Sequence, residues 1–485
     1  MPRKYLVPFL LILLMAPAAY AGDAKPVDCT QLMAWLIGGV SSGRLVQVVN
    51  QRGISFVPTV APTKELAAAG AEPALLDSLR QAHPVEVAVD TSCVPALAEA
   101  AQSVRQKRYP QAERQLQDLL RADSANAALH FALGGVYRQQ EKWDDAFDEF
   151  AQSARLMPDF PETHSRLSFL FAQSGDPDNA IAEARTALSM DPRNAEAYRY
   201  LALALSAGGQ YDAAVHAFQE SLTRLPDNPD VYFELGITLR DKGDLKAAEA
   251  AFRHTLQLKP SYWEAHSNLG LVLQDEHKFD NAIVEYKEAK RLAPQESTVR
   301  NNLGSTYCDK GDYDAAIAEF RELFRQDPGW ESGHGCVAKA LMAKHEYEPA
   351  IAELRLAVRQ NPTGATEHRV LGQALLLTGK QEEATKELRT AVSLNPDSAM
   401  AHHYLGMALG QLQNHEAAEK EYREAVRLEP TAGNHYYLAA SLIDLGKYDE
   451  ALTELETAAR MDPSQSLYRA RKDELLKLMK AAESR

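Results

Sequence analysis

An all-α solenoid of helix-turn-helix repeats, preceded by a small, mostly helical N-terminal module, is the fold this sequence predicts, and three observations predict it. Prolines fall at Pro158, Pro192, Pro226, Pro260, Pro294, Pro328, Pro362, Pro396 and Pro430, each 34 residues after the last, and Pro463 follows after 33. With each repeat begun three residues after a proline, or two in the last repeat, the twentieth position is alanine ten times running, from Ala146, Ala180 and Ala214 to Ala418 and Ala451. The eighth position is small nearly throughout, as at Gly134, Ser168, Ala202, Gly236, Gly270 and Gly304. A period of this length is the signature of stacked supersecondary units, each of which buries its apolar face only against its neighbours.

The N-terminus reads as an export signal. Arg3 and Lys4 precede an apolar run from Leu6 to Met15, and Ala19-Tyr20-Ala21 supplies the small residues that a signal peptidase needs at its cut. The run is shorter than the roughly 20 residues that span a bilayer and carries Pro8, so residues 1–21 are expected to be removed, leaving no transmembrane segment. Residues 22–92 stay outside the period. Leu32, Trp35 and Leu36 take helical spacing, as do Leu45, Val48 and Val49, and then Leu75, Leu76 and Leu79. Gly53 to Pro58 reads as extended, and Val85 to Val89 alternates as a short strand or linker. Cys29 and Cys93 bracket the module and are a disulfide candidate in an exported chain, the alternative being two buried thiols.

Repeat 1, residues 93–126, diverges from the pattern but keeps a second helix from Tyr109 to Leu120, and repeats 2 to 11 run to about residue 465. Within a repeat, a glycine such as Gly175, Gly209, Gly243, Gly311, Gly379 or Gly446 sits where a left-handed residue would end the first helix. The twenty-fourth position carries an aromatic or leucine, as at Phe150, Phe218 and Tyr286, and the proline then blocks continuation of the second helix. Residues 466–485, with Leu475, Leu476, Leu478 and Met479, suit an amphipathic helix that closes the open end of the array.

Tyr232-Phe233-Glu234-Leu235-Gly236-Ile237-Thr238-Leu239, followed by Ala248, Phe252 and Pro260, resembles the tetratricopeptide repeat pattern, with tyrosine where tryptophan is commonest. The resemblance implies a right-handed superhelix whose first helices line a concave groove, with a peptide or protein partner lying in it. It assigns the second, fifth, ninth, twelfth and thirteenth positions, and some sixth ones, to that groove. The candidates so named are acidic at the second position, Glu162, Glu196, Asp230 and Glu264, and apolar at the ninth, Phe169, Leu203, Ile237 and Leu271. Arg199 and Arg240 interrupt the acid, and Asn268, Asn301 and Asn302 offer amides to a peptide backbone. An apolar track beside carboxylates suits a peptide with spaced hydrophobic anchors and some basic residues. Acidic second positions also stabilise helix N-termini without any ligand.

Composition narrows the function. With 45% hydrophobic and 25% charged residues the chain is an ordinary folded one, and its formal charge of −15 argues against a phosphate backbone as partner. No catalytic constellation, metal site or cofactor is expected. Gly39-Val40-Ser41-Ser42-Gly43 fits a nucleophile-elbow string but lies between helical patterns, and Gly333 to Ala338 fits a dinucleotide string without a βαβ unit. His402, His403 and His435 read as packing or surface residues. Cys308 and Cys336, at the twelfth and sixth positions of neighbouring first helices, are offset by about 9 Å of helix rise and read as free thiols. The expectation is an exported, periplasmic or extracellular, non-enzymatic interaction scaffold. The alternative is an accessory subunit of an envelope complex for secretion, polysaccharide export or outer-membrane assembly. The sequence sets no oligomeric state.

Overall fold

The computed structural model describes residues 25–85 and 93–483, with side chains to residue 480. The signal segment 1–21 and most of the alternating stretch after Val85 lie outside the described residues. Among those described, the chain is twenty-seven α-helices, with isolated bridges Val27–Ile54 and Ile54–Pro84 as its extended contacts. The fold is an all-α helical repeat solenoid, and no described helix is long and apolar enough to cross a membrane. It divides into two compact units at Lys242 and Gly243.

The first unit opens with α1 (Cys29–Ile37), α2 (Ser42–Arg52), α3 (Val60–Ala69) and α4 (Pro73–Gln81). Repeat pairs follow: Pro95–Arg105 with Tyr109–Ala122, Ala127–Gln139 with Trp143–Leu156, Pro161–Gln173 with Pro177–Met190, and Ala195–Ala207 with Tyr211–Arg224. The first helix of repeat 5, Pro229–Lys242, ends the unit. The second unit runs from Leu245–Leu258 through the pairs of repeats 6 to 11 to the closing helix Ser466–Glu483. In that closing helix Leu475 is buried, whereas Leu478, expected on the same side, is exposed, because one contact face of a helix against Tyr448–Met461 is too narrow for all four apolar residues. Helix α3 has no sequence counterpart above. Its segment holds a single leucine and so shows no apolar period, and it forms through alanine propensity and a left-handed stop at Gly70.

The punctuation of each repeat follows from backbone sterics. The fifteenth position turns left-handed in every repeat, by glycine at Gly175, Gly209, Gly243, Gly311, Gly379 and Gly446, and by Lys107, Glu141, His277, His345 and Gln413 where glycine is missing. The residue before each repeat proline is extended, as at Asp191 (φ −137°, ψ 94°) and Lys259 (φ −139°, ψ 84°), because the proline ring clashes with a helical predecessor. Between these stops the two helices press together at the small eighth position. A Cβ placed on Gly406 would sit 2.8 Å from the ring of Tyr422, the twenty-fourth residue of the same repeat.

A second pairing recurs inside the repeats. Histidine at the fourth position meets glutamate at the twenty-third in repeats 2, 3, 6, 8, 9, 10 and 11, as His164 Nδ1 to Glu183 at 2.6 Å and His402 Nδ1 to Glu421 at 2.6 Å. In most of these the other ring nitrogen donates to a carbonyl near the repeat boundary, as His164 Nε2 does to Pro158 at 3.1 Å. A carboxylate on one side and a carbonyl on the other are both acceptors, so the ring satisfies both only as the imidazolium. For His130, His164 and His266, burial works against that charge, yet the glutamate bond with its charge, and the carbonyl, outweigh it and raise the pKa above 6.5.

A group whose folded pKa is raised contributes stability below its unfolded pKa and loses it as pH rises through the folded value. The melting temperature is therefore expected to fall as pH increases from about 6 to about 8, and the Glu183→Gln/Glu285→Gln variant should show a flatter dependence. Thermal unfolding followed by circular dichroism checks this; an equal slope in wild type and variant would refute it.

Candidate functional site

Within each unit, first helices of consecutive repeats pack side by side, as Pro161–Gln173 does on Ala195–Ala207, so their second, fifth, sixth, ninth and twelfth positions share one face. In the first unit the N-terminal module covers the start of that face. Helix α1 packs on the first helices of repeats 1 and 2. Trp35 stacks on Phe160 with ring centroids 4.3 Å apart, and Phe131, at a fifth position, meets Phe160 edge-on. The ninth position of repeat 2 is Gly135, where a Cβ would lie 2.5 Å from the Cα of Gly38. Only glycine lets the two backbones approach so closely. Cys29 and Cys93 are bridged, with Cα atoms 5.1 Å apart, which fastens α1 to the start of repeat 1. Closing that 64-residue separation restricts the unfolded chain by about 4 kcal/mol in the loop-entropy account.

Helix α2 adds charge to the seal. Ser41, central in the nucleophile-like string, caps this helix by accepting from the Arg44 N–H at 3.3 Å, and no strand precedes it. The Arg44 side chain donates from Nε to Glu162 and from Nη1 to Asp191 at 2.6 Å. Asn194 Nδ2 also reaches Glu162, at 3.4 Å. Burial pulls the Arg44 pKa down, but the two carboxylates outweigh it and hold the guanidinium cationic. Next to it, Arg166 donates to the Gly39 carbonyl at 2.8 Å and to the Tyr200 hydroxyl. Glu162 is 1% exposed. As a groove contact it is therefore corrected: its carboxylate is spent on the module, because α2 brings a cation to the place a ligand would take.

Beyond the module the face is open. Phe169, Leu203 and Ile237, the ninth positions of repeats 3, 4 and 5, line one cleft of about 230 Å³ together with Ala172, Ser206 and Thr238. Glu234 also lines it, held in a two-pronged pair by Arg199, whose Nε donates at 2.7 Å and Nη2 at 2.5 Å. Burial opposes the Arg199 charge, and Glu234 overcomes it, so the guanidinium pKa is pushed up. Glu196 is 3.7 Å from Arg166, and Arg240 pairs with its neighbour Asp241 at 3.0 Å. Asp230 lies in the first turn of its helix, where its backbone N–H donates to the Asn228 side chain. The acid row is thus divided, with Glu162 sealed in and the other carboxylates of this unit partly exposed.

In the second unit, Glu264 and Leu271 are half-buried on the first helix of repeat 6. Asn268 donates to the Glu264 carbonyl at 2.9 Å, and Asn301 donates to Asn302 at 3.3 Å. His402 and His435 belong to the histidine–glutamate pairs, and His403 bonds Asn434 at 3.0 Å with Tyr437 at 4.7 Å between centroids. Sequence reasoning missed Arg44, Asp191, Arg166 and Glu234. Arg44 and Glu162 are 118 residues apart, and no local pattern joins them.

Tetratricopeptide repeat profiles match residues 97–160, 170–229, 202–262, 233–297 and 267–330, and related repeat profiles match 372–413, 399–432 and 434–465. A search of curated proteins returned no match. Among solved structures, MamA 41-end from Desulfovibrio magneticus RS-1 is 20% identical, covering 35% of this chain and 95% of that one at TM-score 0.33. YrrB, a TPR protein with an unusual peptide-binding site, is 17% identical, covering 39% and 97% at TM-score 0.35. Yeast Tom70 is 15% identical, covering 80% and 96% at TM-score 0.33.

Replacing Arg44 with alanine leaves Glu162 and Asp191 buried beside an empty place. The Arg44→Ala variant is expected to lose about 3–5 kcal/mol in urea unfolding of the first unit, and Glu162→Gln added to it should restore part of the loss. A cost below about 1 kcal/mol would mean that the pair does not seal the module.

Proposed function

The chain belongs to the tetratricopeptide repeat family, and from that premise we propose that it is a non-enzymatic scaffold which holds a peptide segment of a protein partner on its first-helix face. The observation that carries this reading is the single cleft shared by Phe169, Leu203 and Ile237. Three apolar side chains at the same position of three successive repeats suit an extended or helical segment with spaced hydrophobic anchors. The paired Arg199 and Glu234 beside them offer polar contacts that orient the segment, and the anchors supply the affinity. The module-covered part of the face is excluded from this role, so the binding track begins at repeat 3.

Export to the periplasm or cell exterior is part of the same proposal. It is supported by the charged, apolar and small-residue order of residues 1–21 and by a bridged cysteine pair, a bond that persists in oxidising compartments. N-terminal sequencing of the protein recovered from its native cells should begin at Gly22; an intact Met1 terminus on the mature protein would overturn the export reading.

A displayed random-peptide library selected on the mature protein is expected to enrich sequences with spaced apolar anchors. Leu203→Asp and Ile237→Asp should each weaken the enriched peptides at least about tenfold in calorimetric titration while leaving helicity unchanged. Enriched peptides that bind the two variants as well as wild type would sink the cleft assignment.

A further inference from the structure

Cys308 lies on the first helix of repeat 7 (Ser297–Lys310) and Cys336 on that of repeat 8 (His334–Ala343). Neither is in the Cys29–Cys93 bridge. The offset expected from their positions along separate helices does not hold in space. Cys308 Sγ donates to the Cys336 carbonyl oxygen at 3.6 Å, and the two thiols lie near enough to shift one another's ionisation. Neighbouring first helices are staggered, so that a twelfth position faces residues nearer the start of the next helix. The same stagger brings Thr306, a tenth position, to Gln274, the twelfth of the preceding repeat, at 3.0 Å.

The pair is asymmetric. Cys308 is 1% exposed, whereas Cys336 is only half-buried. Repeat 8 also starts its first helix late, at His334 where the period would start it at Glu331, because Gly333 takes a left-handed φ of 101°. A Cβ there would meet the Phe320 ring at 2.3 Å, so the stop is built in. The late start puts Cys336 in the first turn, where unpaired peptide N–H groups favour a thiolate. The neighbouring Cys308 thiol is the largest influence on Cys336, and with Ser305 and Lys339 it holds the thiol down at about 7 against burial and Asp309. The proximity of Cys336, together with burial, pushes Cys308 up.

We propose that Cys336 and Cys308 form a thiol–disulfide exchange site, with Cys336 the attacking thiolate and Cys308 the resolving thiol, whose substrate is an oxidised disulfide and whose product is a Cys308–Cys336 bridge between repeats 7 and 8. In the first step the Cys336 thiolate bonds to one sulfur of the incoming disulfide, the sulfur–sulfur bond of that molecule breaks, and one thiolate leaves. In the second, Cys308 loses its proton to solvent and bonds to the Cys336 sulfur, and the mixed disulfide breaks to release the second thiolate. Two protein thiols are oxidised and one small disulfide is reduced to two thiols, so the electrons balance without a further oxidant.

Oxidised glutathione added to the mature protein with Cys29–Cys93 intact tests this by intact mass and peptide mapping. The expected product has lost two hydrogens, carries no glutathione, and yields a Cys308–Cys336 linked peptide. Cys308→Ser should stop at a glutathione adduct on Cys336. Cys336→Ser, checked for unchanged helicity, should react at Cys308 at least tenfold more slowly than Cys308→Ser reacts at Cys336. A stable adduct on wild-type Cys336 with Cys308 still alkylatable would overturn the proposal, as would two unreacted thiols or equal rates in the two variants.

Discussion

The contact between a small eighth residue and a large twenty-fourth one sets the spacing on which the rest of the array depends. Where a ring or leucine lies flat on a glycine or alanine, the two helices of a repeat come close enough to exclude water along their length. Gly304 under Phe320, Gly372 under Leu388 and Gly406 under Tyr422 leave no room for even a methyl group. Alanine at the twentieth position completes the seam: Ala146, Ala248, Ala316 and Ala418 are all fully buried. Because this seam is closed within each repeat, the remaining apolar surface can be satisfied only by the next repeat, and a chain of such units grows by neighbour contact alone. Each end then needs something other than a repeat to cover it.

The two ends solve this differently. At the C-terminus a single amphipathic helix lays Leu475 against the last repeat. At the N-terminus the covering element is larger and does more than cover an end. One hydrophobic cluster runs without a break from Val27 in the module to Leu170 in repeat 3, so the module and the first repeats share a core. The module also reaches sideways over the first-helix face, through Trp35, Gly38 and Arg44. Its buried charge is costly to place there and is tolerated because Glu162 and Asp191 meet it from the two ends of repeat 3. A cation that satisfies two carboxylates from opposite ends of one repeat fixes where the module sits more narrowly than apolar contact alone would.

The repeats were legible in the sequence because their constraints recur at fixed spacing: proline, alanine and the small residue each answer a steric demand that every unit shares. The histidine–glutamate pairs obey the same spacing and could have been read from it. His130 and Glu149, His164 and Glu183, and His266 and Glu285 are each 19 residues apart. They surface only when fourth and twenty-third positions are compared as columns, since neither residue belongs to the apolar pattern. The module resisted reading for the opposite reason. Its contacts join residues used once, Arg44 to Glu162 and Arg166 to Gly39, and α3 is built from alanines that leave no apolar stripe. Cys308 and Cys336 are free thiols as their spacing suggested, but their closeness was not legible, because rise along one helix says nothing of the stagger between two.

A column in a repeat alignment therefore fixes where a side chain starts and leaves open what it meets. Glu162, Glu196 and Asp230 share the second position, yet the first is sealed against Arg44, the second stands near Arg166 with its side chain 30% exposed, and the third sits half-buried in a helix's first turn. The difference comes from what packs above them, and the module packs only over the first. The ninth column behaves the same way: Gly135 is glycine because the backbone of Gly38, at the end of α1, lies on it, while Phe169, Leu203 and Ile237 line a cleft that no described residue of the first unit fills. The change from glycine to large apolar residues along one column marks, in the sequence itself, where the face passes from internal packing to an open cleft.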